Sequence, residues 1–314
     1  MQPHLKKRAA ELHAQARAER FNIGHRGARA FAPENTLAAF QKALHLGCHM
    51  VELDVHCTLD EVLIVHHDDD LLRCTDVATR YPGLDSYQVS DFTAAQISSL
   101  DAGSWFAGQL SLASAQRAPF LRSLTSVEMS TLVSDSDLRL YASGSIRVPT
   151  LAQVFELIGT SQLLVNVEIK ALPRMYSDIA ARVVDCLKLY GMEHRTLLSS
   201  FDHEQLVAAR AASSLAATAV LTGDRLAKPA RYLEMLDADA YHPSCQGEHD
   251  SLGFNSVERT LQRGGMAEVL AQGKDVNVWT CNDPAQMRQL LDAGVTGIFT
   301  DYPNRLAAVL SERP

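Results

Sequence analysis

Three acidic side chains stand where apolar strands should have none. Glu52 and Asp54 lie two apart in the segment VELDV. Strand alternation puts both on one face, with Val51, Leu53 and Val55 on the other. Two ionised carboxylates on a buried face are costly unless a cation or a basic partner sits between them. Glu168 lies near the end of the similar segment LLVNVEIK. Carboxylate oxygens are hard ligands suited to Mg²⁺ or Ca²⁺, so three converging on one mouth suggest one divalent ion. Pairing with Arg26 and Lys170 explains Glu52 and Asp54 equally well when they are taken alone; adding Glu168 favours the metal.

Two histidines fall at the ends of candidate strands, His25 in IGHRG and His67 in VHHDDD. A lone strand-end histidine is usually structural. Two beside three carboxylates point to proton transfer, because imidazole titrates near neutral pH. Arg26 follows His25, and a guanidinium forks naturally onto phosphate. Gly24 and Gly27 flank the pair and would let backbone approach a ligand, although glycine at strand ends is commonly just a turn. His66 should face away from His67 and serve structure. Pro33-Glu34-Asn35-Thr36 reads as a helix start, an explanation that covers Thr36 better than Glu34 or Asn35. Trp279 ends VNVWT, where it lines a pocket or packs a core. The run Asp68-Asp69-Asp70 reads as a solvated loop, and His242 as a weak site candidate.

The elements that must position these groups alternate along the chain. Strands are expected at Phe21–His25, Met50–Val55, Leu164–Ile169, Thr196–Phe201, Ala217–Leu221, Ala238–His242, Val276–Thr280 and Gly297–Thr300. Helical spacing fills Leu37–Leu46, Ser177–Leu189 and Ala285–Ala293. Eight strands separated by helices favour an α/β fold of the TIM-type (β/α)8 barrel class over an open sheet. Val62–His66 follows its neighbour too closely for a parallel crossover, so Thr58–Glu61 should be a tight reversal. The return strand then carries His66 and His67 back to the barrel end that Val55 left. Residues 1–20 read as a polar helix and 21–314 as one barrel domain. A stretch at about 107–147 reads as a small insertion after the second barrel strand, with a helix around Ser126–Leu132.

The whole chain narrows the alternatives. Its 314 residues carry 29 basic and 37 acidic groups, a net charge of −8, with no electrostatic pull toward nucleic acid or anionic membrane. No apolar run approaches a membrane span, and the charged start lacks the apolar centre of a secretory signal. Six scattered cysteines without a C-x-x-C pair suggest free thiols and a cytoplasmic location. The absence of G-x-S-x-G, Walker and G-x-G-x-x-G patterns removes the best support for serine hydrolase, P-loop and dinucleotide readings.

Taken together the motifs resemble the glycerophosphodiester phosphodiesterase family. They are His25-Arg26-Gly27, Pro33-Glu34-Asn35-Thr36, Glu52-x-Asp54, Thr58-x-Asp60 and His67-Asp68 with Leu71, Arg73 and Thr75. The match continues through Asp101–Phe106, Val148–Leu151, Val167–Lys170, Ser200-Phe201, Trp279-Thr280 and Thr300–Pro303. The resemblance implies a barrel that hydrolyses small-molecule glycerophosphodiesters to sn-glycerol 3-phosphate and an alcohol with a divalent ion. It implies Glu52, Asp54 and Glu168 as metal ligands and His25 and His67 as general acid and base. Arg26 and Lys170 would contact the phosphate, and Trp279 would line the substrate pocket. The alternative within the same fold is a lysophospholipase D or sphingomyelinase-D-like enzyme acting on lipids. Two departures stand out: Glu61 where the family usually has glycine, and the long 107–147 stretch, which bears on substrate range.

Overall fold

In two of the strands carboxylates alternate with apolar side chains, Glu52 and Asp54 with Val51, Leu53 and Val55, and Glu168 with Val167 and Ile169, so one face of each is polar and the other apolar. In the computed structural model the strands are β1 (Phe21–Gly24), β2 (Met50–Cys57), β3 (Leu63–Val65), β4 (Leu164–Ile169) and β5 (Thr196–Ser200). They continue as β6 (Ala217–Thr222), β7 (Ala240–Pro243), β8 (Asp275–Val278) and β9 (Gly297–Thr300). The structure describes residues 15–313 except 17, 172–175, 177, 247–249, 255–260 and 262. Of the predicted helix over 1–20, residues 1–14 lie outside the described residues; Gln15, Ala16, Ala18 and Glu19 are helical.

All strands but β3 pair in parallel and close through β1–β2 and β1–β9, giving an eight-stranded (β/α)8 barrel. The outward residues Val51, Leu53, Val55, Val165, Val167 and Ile169 are buried with Phe40 of the helix Leu37–His45 and Val154 of the helix Leu151–Ile158. Inside the barrel, Ile23, Met50, Leu164 and Phe299 form an apolar floor that Ala16 joins. Above the floor the inward positions turn polar. Asn166 donates to Ser199 Oγ at 2.8 Å, and Asn277 Nδ2 lies 3.0 Å from His242 Nε2. Polar groups gather at the carboxyl ends of the strands, the end at which such barrels build sites.

β3 is the expected antiparallel return, with Val55 opposite Val65. The reversal closes as Glu61 N donates to Thr58 O at 2.9 Å and Val62 N to Thr58 Oγ1 at 3.0 Å. Glu61 takes φ 64°, the left-handed region where glycine is at home. The connection from β3 to β4 then runs over residues 66–163 before the sheet resumes. Its helices Ala94–Ser98, Ser126–Leu132, Asp135–Tyr141 and Leu151–Ile158 each start from a reciprocal capping box, at Thr93, Thr125, Ser134 and Thr150. Phe106, Phe120, Leu121 and Tyr141 from this segment bury themselves in the main core. The Tyr302 hydroxyl donates to Phe120 O at 2.7 Å, tying the segment to the last barrel turn. All six cysteines are free thiols, and no helix among the described residues is long and apolar enough to cross a membrane.

Candidate active site

The register of β2 against β4 sets Asp54 directly opposite Glu168 and Glu52 opposite Asn166. All three carboxylates therefore face the barrel axis, are buried, and bring oxygens within 4.8 Å of one another. Burial, Asp54 and Glu168 together push the Glu52 carboxyl well above its ordinary range. Burial and Asp54 also raise Glu168, against the opposing pull of Lys170. Burial opposes ionisation of Asp54 as well, yet His67, Lys170 and Arg26 hold its carboxyl below the usual range.

The ion pairs weighed against a metal are present too. Lys170 Nζ lies 2.9 Å from Glu168 Oε1 and 3.8 Å from Asp54 Oδ1, and Arg26 Nε lies 3.6 Å from Asp54 Oδ2. Two side-chain cations against three acids leave negative charge in excess. Among the described residues, the Arg26 backbone N–H, at 2.7 Å, is the one hydrogen-bond donor to Glu52, and Asp54 Oδ1 is buried without a hydrogen bond. Three hard oxygens, a surplus of charge and an orphaned lone pair are what a divalent cation would complete, so the residues fit such an ion.

His25 sits just past β1, its backbone N–H bonded to Thr300 O at 3.0 Å. Its Nδ1 meets Asp301 Oδ1 at 2.8 Å, while its Nε2 lies 4.0 Å from Glu52 Oε2. Asp301 is fully buried, and Arg29 (2.5 Å) and Asn282 (2.6 Å) also donate to it. His67 is built the same way: Nδ1 meets Asp68 Oδ1 at 2.6 Å, and Arg73 Nε donates to Asp68 Oδ2 at 2.6 Å. Burial, with Arg29 and Arg26 beside it, lowers His25 to about 4. Burial and Arg26 lower His67 to about 4. Each imidazole has its Nδ1 engaged by a carboxylate, which leaves its Nε2 for chemistry.

Two residues adopt left-handed backbone here. Arg26 (φ 54°) thereby aims its N–H at Glu52, and Asn35 (φ 55°) donates Nδ2 to Asp54 Oδ2 at 2.8 Å. Such strain persists only where surroundings over-determine it, and it concentrates at sites. Gly27 serves packing: a Cβ there would come within 2.7 Å of Ala39 in the helix Leu37–His45. Thr36 caps that helix, its hydroxyl accepting from Ala39 N at 3.3 Å.

A cavity of about 140 Å³ opens over this cluster. Its walls include His25, Arg26, Glu52, His67, Glu168 and Trp279. Trp279 meets Phe201 edge to face at 5.5 Å, and Phe201 is 44% exposed at the rim. The structure thus brings every sequence-expected site residue to one barrel end; Asp54 and Lys170 stand just behind the wall. His66 points elsewhere, Nε2 to Asp70 O at 2.9 Å.

Two readings need correction. Asp68 is not a free loop carboxylate but the partner of His67. His242 is buried in the cavity wall, packed edge to face on Phe299 at 5.0 Å. Asp301, Arg29 and Arg73 were not singled out as site residues. A signal existed for Asp301, which shares the inward parity of Phe299 at a strand end, and for Asp68, which adjoins a candidate histidine.

Comparison with known proteins agrees with this geometry. The model of the glycerophosphoryl diester phosphodiesterase family matches residues 25–305. A glycerophosphodiester phosphodiesterase of Caldanaerobacter subterraneus subsp. tengcongensis is 30% identical over 284 residues, 90% of this chain and 95% of that protein. A mouse lysophospholipase D is 27% identical over 98% of this chain and 92% of its own length. Among solved structures, an Oleispira antarctica phosphodiesterase in complex with its product sn-glycerol 3-phosphate superposes with a TM-score of 0.68. That pair is 23% identical, covering 92% of this chain and 96% of the other. With the family match spanning the barrel from His25 to its last helix, the chain belongs to the glycerophosphoryl diester phosphodiesterase family, whose members are phosphoric diester hydrolases.

Proposed function

We propose that this protein hydrolyses glycerophosphodiesters to sn-glycerol 3-phosphate and an alcohol, with His25 and His67 sharing the proton transfers and one divalent cation, Mg²⁺ or Ca²⁺, held by Glu52, Asp54 and Glu168. The observation that carries this reading is the pair of imidazoles, each backed at Nδ1 by a carboxylate, on the wall of a cavity lined by Glu52 and Glu168 with Asp54 just behind them. When bound, the ion would supply positive charge against the phosphate oxygens as charge grows there. Arg26 forks toward the same phosphate, and Lys170 adds a second cation. One imidazole enters unprotonated at Nε2 and accepts the proton of the attacking hydroxyl there; the other enters as the imidazolium and gives its Nε2 proton to the leaving alkoxide. The attacker is water, or the neighbouring hydroxyl of the glycerol, which forms a cyclic phosphate that water then opens to sn-glycerol 3-phosphate. Asp301 and Asp68 hold the Nδ1–H tautomers that leave each Nε2 free to work.

The wall groups His25, Arg26, Arg29 and His67 suit a charged phosphodiester. A cavity of about 140 Å³ holds a glycerophosphate-sized group, with Trp279 and Phe201 beside the emerging alcohol. The test is release of sn-glycerol 3-phosphate from glycerophosphocholine, run beside lysophosphatidylcholine, with a chelator and with Mg²⁺ or Ca²⁺ restored. Turnover of the water-soluble diester should vanish on chelation and return with the ion. Preference for the lysolipid would move the protein to the lysophospholipase D reading. Turnover indifferent to chelation would remove the metal from the proposal.

A further inference from the structure

Glu34 touches neither histidine, yet both histidine–carboxylate pairs lead to it. From His25 the path runs to Asp301 at 2.8 Å and then to Arg29, whose NH1 lies 3.7 Å from Glu34 Oε2. From His67 it runs to Asp68 at 2.6 Å and then to Arg73, whose NH1 and NH2 donate to Glu34 at 3.1 and 2.7 Å. Arg26 NH1 adds a third guanidinium at 2.7 Å. Charge alternates from each aspartate through its arginine to Glu34, and among the described residues Glu34 is the one acid paired with all three arginines. Its side chain is 2% exposed. Its backbone is fixed on both sides: Asn35 N donates to Arg26 O at 3.0 Å, and the Thr36 hydroxyl donates to Pro33 O at 2.7 Å. Rings from the long β3–β4 connection cover the two relay arginines, Phe120 at 4.3 Å from Arg29 and Trp105 at 5.8 Å from Arg73.

From this geometry we infer that Glu34 is a positioning residue that holds His25 and His67 in working orientation together, through Arg29–Asp301 and Arg73–Asp68. A helix-start residue explains neither its burial nor its three partners. A carboxylate is needed because an amide would turn N–H donors against guanidinium donors. The inference rests on the proposal that the two histidines carry the proton transfers.

The test compares wild type, Glu34→Gln and Arg73→Lys, in the intact chain, by steady-state turnover of glycerophosphocholine and by ¹⁵N imidazole spectra. In Glu34→Gln, kcat should fall about 10²-fold with KM changed much less, as expected for displaced catalytic groups. The Nδ1 signals of both His25 and His67 should move. Arg73 is 40% exposed at its side chain, so Arg73→Lys keeps the fold available and should move His67 while leaving His25 in place. If KM rises with kcat intact, or if Glu34→Gln moves only one imidazole or neither, the shared role is wrong and Glu34 is simply a partner of Arg26. The spectra need no substrate, so a wild type inactive on glycerophosphocholine would overturn the functional proposal while leaving this structural result readable.

Discussion

Asp301 shows how much chemistry a side chain can carry without touching the cavity. Its bond to His25 Nδ1 spans 276 positions of sequence, so no local pattern announces it. His25, Glu52 and Asp54 were legible because type and alternation sufficed; Asp301 needed the barrel to close. Asp301→Asn should keep the shape, lose the charge that fixes the imidazole tautomer, and lower kcat by about 10²–10⁴ with KM little changed. Initial-rate kinetics would check this, and kcat within threefold of wild type would contradict it. Glu52 bears the opposite cost. Burial and two like charges disfavour its ionised form, so in chelator Glu52→Gln should be more stable than wild type by about 0.5–2 kcal/mol. With Mg²⁺ or Ca²⁺ the order should invert, because only wild type gains the full binding energy of the ion. Urea denaturation under both conditions reads the crossover.

At the level of elements, spacing alone exposed β3, since too few residues separate it from β2 for a parallel crossover. Glu61 departs from the glycine that the family usually has there, and its left-handed backbone supplies the reason: glycine fits that turn without strain. Glu61→Gly should therefore raise stability by up to about 1 kcal/mol, since the exposed Glu61–Arg182 pair that it forfeits is worth little. A thermal melt that falls would show the pair to matter more than the strain. The 66–163 connection was less legible. Its helices are short, and their start signals at Thr93, Thr125 and Ser134 lie among many serines and threonines that do nothing of the kind. What the segment contributes to the site, rings over Arg29 and Arg73, depends on tertiary contact that no periodicity encodes.

Across the whole molecule the barrel class followed from counting strands and helices, and the polar interior from which side of each strand is charged. Protonation ties that interior to stability. His242 is buried and lowered to about 3 by that burial. Its folded value lies below its unfolded one, so the unfolded chain binds the extra proton as pH falls through about 6.5 toward 3. Stability is complete above that window and is lost within it. Between about pH 7.5 and about pH 5, wild type should lose about 2 kcal/mol more than His242→Gln in chemical denaturation. Parallel losses in the two proteins would refute the assignment. The pairing of β2 with β4 has a last consequence. Sliding β2 by one place would swing Glu52 and Asp54, and sliding β4 would swing Glu168, out of the polar interior into the oily seam under the surrounding helices. Misassembled barrels are thus penalised by the very groups that would perform the reaction, and the chain proofreads its own closure.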